Sequence, residues 1–139
     1  MASGKSNDIE LLAPAGNFES LMAAIQGGAD AVYFGIGKLN MRSGSSKNFS
    51  ISDLEEIRRI SDQYGVRAYV TLNTVMYNED LEYAMEIIDA VKKNRIDAIV
   101  ASDFSVINYA RSAGVNVHIS TQANVSNIES LKFFAGFAD

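Results

Sequence analysis

Five short apolar runs, each followed by a polar cluster and then by a segment of helical periodicity, constrain the fold of this chain more than any other feature. The runs are Ile9–Ala13, Ala31–Gly35, Val66–Leu72, Ala98–Ala101 and Val115–Ile119. This alternation is typical of parallel α/β proteins, in which each helix returns the chain to the same edge of the sheet. Ligands of such proteins bind beyond the carboxyl ends of the strands, so the polar clusters are predicted to carry the chemistry.

Helix start and stop signals support the alternating pattern. Residues that cap helix amino termini precede each helical segment, and in two cases a glutamate three residues later completes a capping box. Glycine or asparagine follows the first four segments and supplies the turn into the next strand. The expected caps are Asn17, Ser52, Asn78, Asp103 and Ser126.

Two architectures fit five such units. A closed eight-stranded barrel needs about 250 residues, so the first is the (β/α)5 portion of a TIM-like barrel, truncated at its carboxyl end, with strand order 1-2-3-4-5. The alternative is a complete flavodoxin-like doubly wound sheet, with strand 1 between strands 2 and 3. Against the alternative, strand 1 lacks a following glycine-rich phosphate loop and a receiver's acidic cluster. Residues 9–139 are predicted to form one domain, and residues 1–8 a disordered lead-in or residues added for expression.

Composition excludes several classes of site. The chain has 139 residues, a net charge of −5, one histidine and no cysteine. It therefore offers no basic footprint for nucleic acid, no disulfide or thiolate nucleophile, and no multi-histidine or cysteine-held metal site, so no metal is predicted. No apolar run approaches the length of a membrane span and no signal peptide precedes the first run, which favours the cytoplasm without a membrane partner.

The fifth run and its polar tail contain the most reactive side chains. His118 lies between Val117 and Ile119, so its side chain faces opposite to theirs. If that face is the barrel lumen, the imidazole can carry protons; a histidine hydrogen-bonded to a neighbouring hydroxyl is an equally good interpretation. Ser120 follows two residues later, but no base next to it would activate it as a nucleophile.

Aromatic and amide side chains of neighbouring strands are further candidates for lining the same mouth. They are Tyr69 and Asn73 on the third strand and Tyr33 on the second.

Other polar residues have a structural interpretation beside the functional one. Glu19 suits the dipole of the first helix, and Asp103 is most simply the start of the fourth. The long glycine- and serine-rich loop from Ile36 to Ser50 contains Arg42 and Asn48. Such a loop is either a solvated connection or a substrate-facing element, in which an arginine can hold a carboxylate or phosphate.

Several segments in order carry a more specific signal. They are Glu10-Leu11-Leu12-Ala13-Pro14-Ala15-Gly16-Asn17, Gly28-Ala29-Asp30-Ala31-Val32-Tyr33-Phe34-Gly35, Met41-Arg42 with Asn48-Phe49, Thr71-Leu72-Asn73, Asp97-Ala98-Ile99 with Asp103, and His118-Ile119-Ser120-Thr121-Gln122 with Asn127. From about Glu10 to the last residue, this set closely resembles the amino-terminal part of the U32 peptidase family, the collagenase-like proteases and their relatives.

The resemblance implies an enzyme with a TIM-like barrel whose remaining strands lie beyond Asp139. It implies a hydrolase that cleaves peptide or protein substrates, with this segment inactive alone. Alternatively, relatives support hydroxylation of RNA or quinones with an iron–sulfur cluster held by later cysteines, so no cofactor is expected within this segment.

The matching positions are candidates for lining the pocket. Catalytic candidates are His118, Ser120, Asp103 and Glu19; substrate-binding candidates are Asn17, Arg42, Asn48, Asn73, Thr121 and Gln122.

A partial barrel also leaves two strand edges with unpaired backbone groups, and such edges attract partners. Self-association through these edges is therefore expected. A non-catalytic interaction module is the third functional hypothesis.

Overall fold

The structure, a computed structural model, describes residues 9–41 and 48–139. One parallel sheet holds five strands, and their sequence order is also their order in the sheet. The strands are β1 Leu12–Pro14, β2 Ala31–Gly35, β3 Arg67–Leu72, β4 Ala98–Ala101 and β5 Val117–Ile119. The lead-in assigned to residues 1–8 lies outside the described residues.

A helix follows every strand, as the punctuation predicts. The helices are α1 Phe18–Gln26, α2 Leu54–Tyr64, α3 Leu81–Lys93, α4 Phe104–Ala113 and α5 Ile128–Phe134. Short 3-10 helices occupy Ile51–Asp53, Asn78–Asp80 and Thr121–Ala123. Among the helices of the described ranges, none is long and apolar enough to cross a membrane.

Strand order decides between the two architectures. β1 pairs with β2, β2 with β3, β3 with β4 and β4 with β5, all in parallel. The doubly wound alternative is wrong, because it requires β1 to lie between β2 and β3. Sequential pairing is the arrangement of a barrel wall, and the five units form part of a TIM-like barrel.

The two faces of the sheet have different neighbours. Side chains such as Phe34, Val70 and Ile99 point outward and pack with the helices in the main hydrophobic core. The opposite face carries a small separate cluster of Ala31, Tyr69 and Ala98, with Tyr33 and Val100 against it. Because side chains alternate along each strand, this second face is the lumen of the barrel.

The first strand starts later than predicted, whereas two of the predicted helix caps are confirmed. β1 begins at Leu12 and includes Pro14, whereas Ile9 is 81% exposed; proline fits there because β1 is an edge strand within the described chain. Asn17 and Asp103 cap α1 and α4 as expected.

The other three predicted caps are wrong. The Asp53 carboxylate, not that of Glu55, accepts a hydrogen bond from the Ser50 amide three positions earlier (2.7 Å), so the cap precedes Ser52. Asp80 does the same for Tyr77 (3.0 Å), ahead of Asn78. In both places a 3-10 helix precedes the α-helix, and the capping residue lies before that 3-10 helix. Asn127 rather than Ser126 caps α5 by accepting from the Ser130 amide.

An aspartate links neighbouring segments at three places, which we call the aspartate clamps. The Asp30 carboxylate accepts from the amide of Leu11 at 2.8 Å, and Asp97 accepts from Ala68 at 2.8 Å. Asp139 accepts from Val117 at 2.9 Å, and its own amide donates to the Val117 carbonyl. Each carboxylate satisfies a backbone donor near the amino end of a strand, where the sheet ladder does not.

We expect Asp97→Ala to lower the free energy of unfolding by about 2–3 kcal/mol, because it leaves the Ala68 amide without its acceptor and breaks the ion pair with Arg58. Urea denaturation measures the loss. Glu129→Ala is a matched control that removes an exposed carboxylate paired with Lys132, worth about 0.5 kcal/mol or less. Equal losses in the two variants would contradict the clamp.

Candidate functional site

The carboxyl ends of β3, β4 and β5 surround a cavity of about 380 Å³ on the lumen face. Strands of one parallel sheet end on the same side, and inward-facing residues at these ends therefore meet. The polar side chains of its lining are Tyr33, Tyr69, Thr71, Asn73, His118, Ser120 and Thr121. Four predicted site residues, at positions 73, 118, 120 and 121, are thus brought together in one cavity.

His118 faces the lumen, as one of its two interpretations requires. It pairs in register with Val100, which belongs to the lumen cluster, while Ile119 packs against the outer core. The Tyr69 ring meets the imidazole edge to face, with the ring centroids 4.6 Å apart. Within the described part of the chain, neither imidazole nitrogen bonds to another residue. The nitrogens are therefore available to water or substrate in the cavity.

Tyr69 connects this site to the amino end of the barrel. Its phenol donates to both carboxylate oxygens of Glu10, at 3.0 and 2.9 Å, and Arg67 pairs with the same carboxylate at 3.0 Å. Burial raises the pKa of the Tyr69 phenol, while Arg67 opposes the rise and Glu10 adds to it. These contacts fix the ring that packs against His118.

Ser120 is buried, with 3% of its surface exposed, just after β5. Its hydroxyl oxygen accepts from the Gln122 amide at 3.2 Å and from the side-chain amide of Asn73 at 3.4 Å. Its backbone amide donates to the Ala101 carbonyl at 2.8 Å, which extends the β4–β5 pairing by one residue. The hydroxyl is therefore fixed by groups from two different strand ends.

The base of the loop after β2 is held by side-chain amides. Asn40, which is 1% exposed, and Asn48 both donate to the Gly37 carbonyl, at 3.2 and 2.7 Å. A Cβ on Gly35 would lie within 2.3–2.4 Å of the Asn40 amide, so only glycine leaves room for that side chain. Asn48 thus braces the loop in this structure, and Arg42 lies outside the described residues.

Phe49 anchors the far end of the same loop. It forms an isolated parallel bridge with Ile36, and its ring packs edge to face against Phe18 and Phe34. The backbone of Phe49 also donates to Gly35 and accepts from Gly37. The loop therefore begins and ends at a fixed place beside the mouth of the barrel.

Three predicted site residues lie outside the cavity lining, at helix starts. The Asn17 side chain accepts from the Ser20 amide at 2.8 Å, and the Asp103 carboxylate accepts from the Ser105 amide at 2.8 Å. Glu19 is exposed in the first turn of α1. Gln122 contributes its backbone amide to Ser120, whereas its side chain is exposed. A role for these side chains in substrate binding or catalysis stays a prediction.

Two features of the site were not among the predicted site residues. Tyr69 stood only as a possible lining residue, and Glu10 as part of a motif. Glu10 lies two residues before Leu12, and side chains two apart on an extended chain share a face. This spacing was the signal in the sequence that Glu10 faces the lumen. Its partner is 59 residues away, and the sequence alone does not pair them.

A second, larger groove of about 680 Å³ runs along β5 and α5, lined in part by Ile119, Leu131 and Phe134. Ser120 and Thr121 border both cavities. Among residues 9–41 and 48–139, no three histidine, aspartate or glutamate side chains are grouped closely enough to hold a metal ion.

Comparison with known families identifies this barrel wall. The family model of peptidase family U32 matches residues 16–138. The chain belongs to peptidase family U32. Over 133 residues it is 53% identical to a collagenase of Porphyromonas gingivalis, covering 96% of this chain and 32% of that protein.

Other curated relatives of this U32 chain carry different names. It is 35% identical to tRNA hydroxylation protein P1 of Bacillus subtilis, covering 90% of this chain and 30% of the relative. It is 32% identical to the 23S rRNA 5-hydroxycytidine C2501 synthase of Escherichia coli, covering 94% and 19%. The chain thus spans a third or less of these relatives. Their names describe enzymes and proteins of RNA hydroxylation as well as a protease.

Solved structures agree on the architecture. The U32 peptidase Mk0906 superposes with a TM-score of 0.73 at 12% identity, covering 96% of this chain and 57% of that one. D-psicose 3-epimerase gives a TM-score of 0.54 at 12% identity, over 80% of this chain and 52% of its own. At this identity the likeness shows the fold, and that fold is the TIM-like barrel.

The raised pKa of Tyr69 predicts a pH dependence. A raised folded-state pKa means that the contribution of Tyr69 to stability is fully present below the ordinary tyrosine value of about 10. It is lost as pH rises through the folded-state value. Between about pH 9 and about pH 11, the wild type should lose more unfolding free energy than Tyr69→Phe, which has no phenol to ionise. Urea denaturation at both pH values measures this, and identical losses would contradict it.

Proposed function

We propose that the full-length U32 protein hydrolyses peptide bonds, with the cavity at the mouth of this barrel wall as part of its active site. One observation carries the proposal: His118, whose ring nitrogens bond to no other described residue, and Ser120, whose oxygen already accepts two hydrogen bonds, line the same cavity. The first can exchange protons, and the second can donate its own proton to a substrate oxygen.

The choice of substrate class follows the relatives. The P. gingivalis protein that bears the name collagenase shares 53% identity over 96% of this chain, against 35% and 32% for the two RNA hydroxylation proteins described above. Peptide carbonyls also suit the cavity, because its lining offers uncharged donors and aromatic rings.

In the proposed reaction His118 acts as general base and then as general acid. The imidazole takes a proton from a water molecule while the water oxygen attacks the peptide carbonyl carbon. The displaced π electrons move to the carbonyl oxygen, which accepts a hydrogen bond from the Ser120 hydroxyl. When the carbon–nitrogen bond breaks, the electron pair returns to form the carbonyl, and the imidazolium protonates the leaving nitrogen.

Ser120 is a donor in this proposal rather than a nucleophile. No base contacts its hydroxyl among the described residues, since both partners of its oxygen are N–H donors. Thr121, exposed at the rim of the cavity, is proposed to contact the substrate backbone.

We expect His118→Gln and Ser120→Ala in the full-length protein each to reduce the cleavage rate of fluorescein-labelled gelatin by about 100-fold, since each removes a group that acts on the transition state. Arg59→Ala, on the outer surface of α2 where Arg59 pairs with Glu56, is the control and should retain the wild-type rate. Full cleavage by both cavity variants would remove these residues from the mechanism.

A second candidate function is hydroxylation of RNA. The observation that favours it is that five relatives named for tRNA or rRNA hydroxylation are 30–35% identical over 90% or more of this chain. The iron–sulfur cluster implied by the family resemblance needs thiolate ligands. This sequence contains no cysteine, so its residues do not fit that group.

Mass spectrometry of tRNA and rRNA separates the two functions. If the protein supports hydroxylation, RNA from a strain lacking the gene loses a hydroxylated nucleoside, and the wild-type gene restores it. A gene encoding His118→Gln should then restore less, whereas Arg59→Ala should restore it fully. Unchanged nucleosides in the deletion strain would exclude the second function.

A further inference from the structure

Asn73 joins two loops at the mouth of the barrel. It lies one residue beyond β3, and its side-chain oxygen accepts from the Met41 amide at 3.2 Å. Its side-chain nitrogen donates to the Ser120 hydroxyl oxygen at 3.4 Å. One amide group therefore ties the loop after β2 to the end of β5, across the end of β4.

The direction of these hydrogen bonds is fixed by chemistry. A backbone amide can donate but not accept, so the Met41 N–H requires the oxygen of the Asn73 side chain to face it. The other end of the planar amide is the NH2 group, which can only donate, and it faces Ser120. The orientation of Asn73 thus follows from its partner at position 41.

Ser120 receives a second hydrogen bond of fixed direction. The Gln122 amide donates to the same hydroxyl oxygen at 3.2 Å. A hydroxyl oxygen has two lone pairs and carries one proton. With both lone pairs used by N–H donors, the remaining tetrahedral direction is that of the Ser120 proton, which is free to donate into the cavity that Ser120 lines.

We propose that Asn73 is a positioning residue that fixes the polarity of the Ser120 hydroxyl, so that this hydroxyl donates to the substrate carbonyl oxygen. The inference rests on the hydrolysis proposed above. It gives Asn73 a role other than contact with substrate: the side chain acts through Ser120 and holds the Met41 loop at the same time.

Two substitutions of Asn73 separate polarity from packing. In Asn73→Asp the carboxylate still accepts from Met41, but its other oxygen can only accept, so it draws the Ser120 proton away from the cavity. In Asn73→Ala both bonds vanish, while Ser120 stays free to donate. Asn127→Asp introduces the same charge at the start of α5, where aspartate caps as well as asparagine, and is the matched control.

The full-length variants are compared by their initial rates on fluorescein-labelled gelatin. Asn73→Asp should lose about 100-fold, as Ser120→Ala does, and the double variant should lose no more than either alone. Asn73→Ala should lose only about 10-fold, since the donor is misplaced rather than removed. Asn127→Asp should match the wild type. A loss in Asn73→Ala as large as that in Asn73→Asp, or losses that multiply in the double variant, would overturn the proposal.

Amide hydrogen exchange followed by mass spectrometry provides a readout without catalysis. Asn73→Ala should speed exchange in the peptide containing the Met41 amide, whereas Asn73→Asp should preserve its protection. Ser120→Ala should speed exchange at Gln122 instead. If the wild type fails to cleave gelatin, the proposal of peptide hydrolysis is wrong. The exchange comparison still decides the orientation of Asn73 in that case. Unchanged exchange near Met41 in Asn73→Ala would refute the orientation itself.

Discussion

In-register pairing of parallel strands is the constraint on which the rest of this structure depends. Because side chains alternate along a strand, the register that aligns Tyr33 with Tyr69 and Val100 with His118 assigns every neighbour to a face. A slip of one residue would turn the histidine into the helical layer and bring Ile119 into the lumen. The candidate chemistry is therefore a direct product of how the sheet is paired.

The sequence predicted those parts of the fold that depend on local pattern. Five apolar runs yielded five strands, and the two caps at Asn17 and Asp103 hold because each sits directly before a regular helix. At Ser50 and Ser52 the pattern is ambiguous, since each serine has an acidic residue three positions later. The 3-10 turn and the burial of Leu54 decide between them, and neither is visible in sequence spacing.

The candidate site was predictable to the same extent. Alternation within β5 placed His118 opposite Ile119, and the strand-end rule placed Asn73, Ser120 and Thr121 near it. The contacts that orient these groups were not predictable. The bond from Tyr69 to Glu10 and that from Asn73 to Ser120 join positions 59 and 47 residues apart, and only the folded chain brings them together.

A polar side chain at a strand end can either cap the following helix or line the site. Asn17 and Asp103 match the family pattern at strand ends, yet their polar atoms are used by the amides of the helices they begin. Asn73 follows β3 directly but caps no helix, so its polar atoms make contacts across the mouth of the barrel. Ser120 does both, since its hydroxyl caps the 3-10 helix Thr121–Ala123 through the Gln122 amide and also accepts from Asn73 in the cavity.

The aspartate clamps bear on how such a wall assembles. They span 19, 29 and 22 residues, each about the length of one strand and its helix. Contacts this close in sequence carry a small loop-closure entropy and favour rapid formation. The two clamps that join strands, Asp30 between β1 and β2 and Asp97 between β3 and β4, thus allow each pair to form as a local unit whose register is set before more distant neighbours arrive.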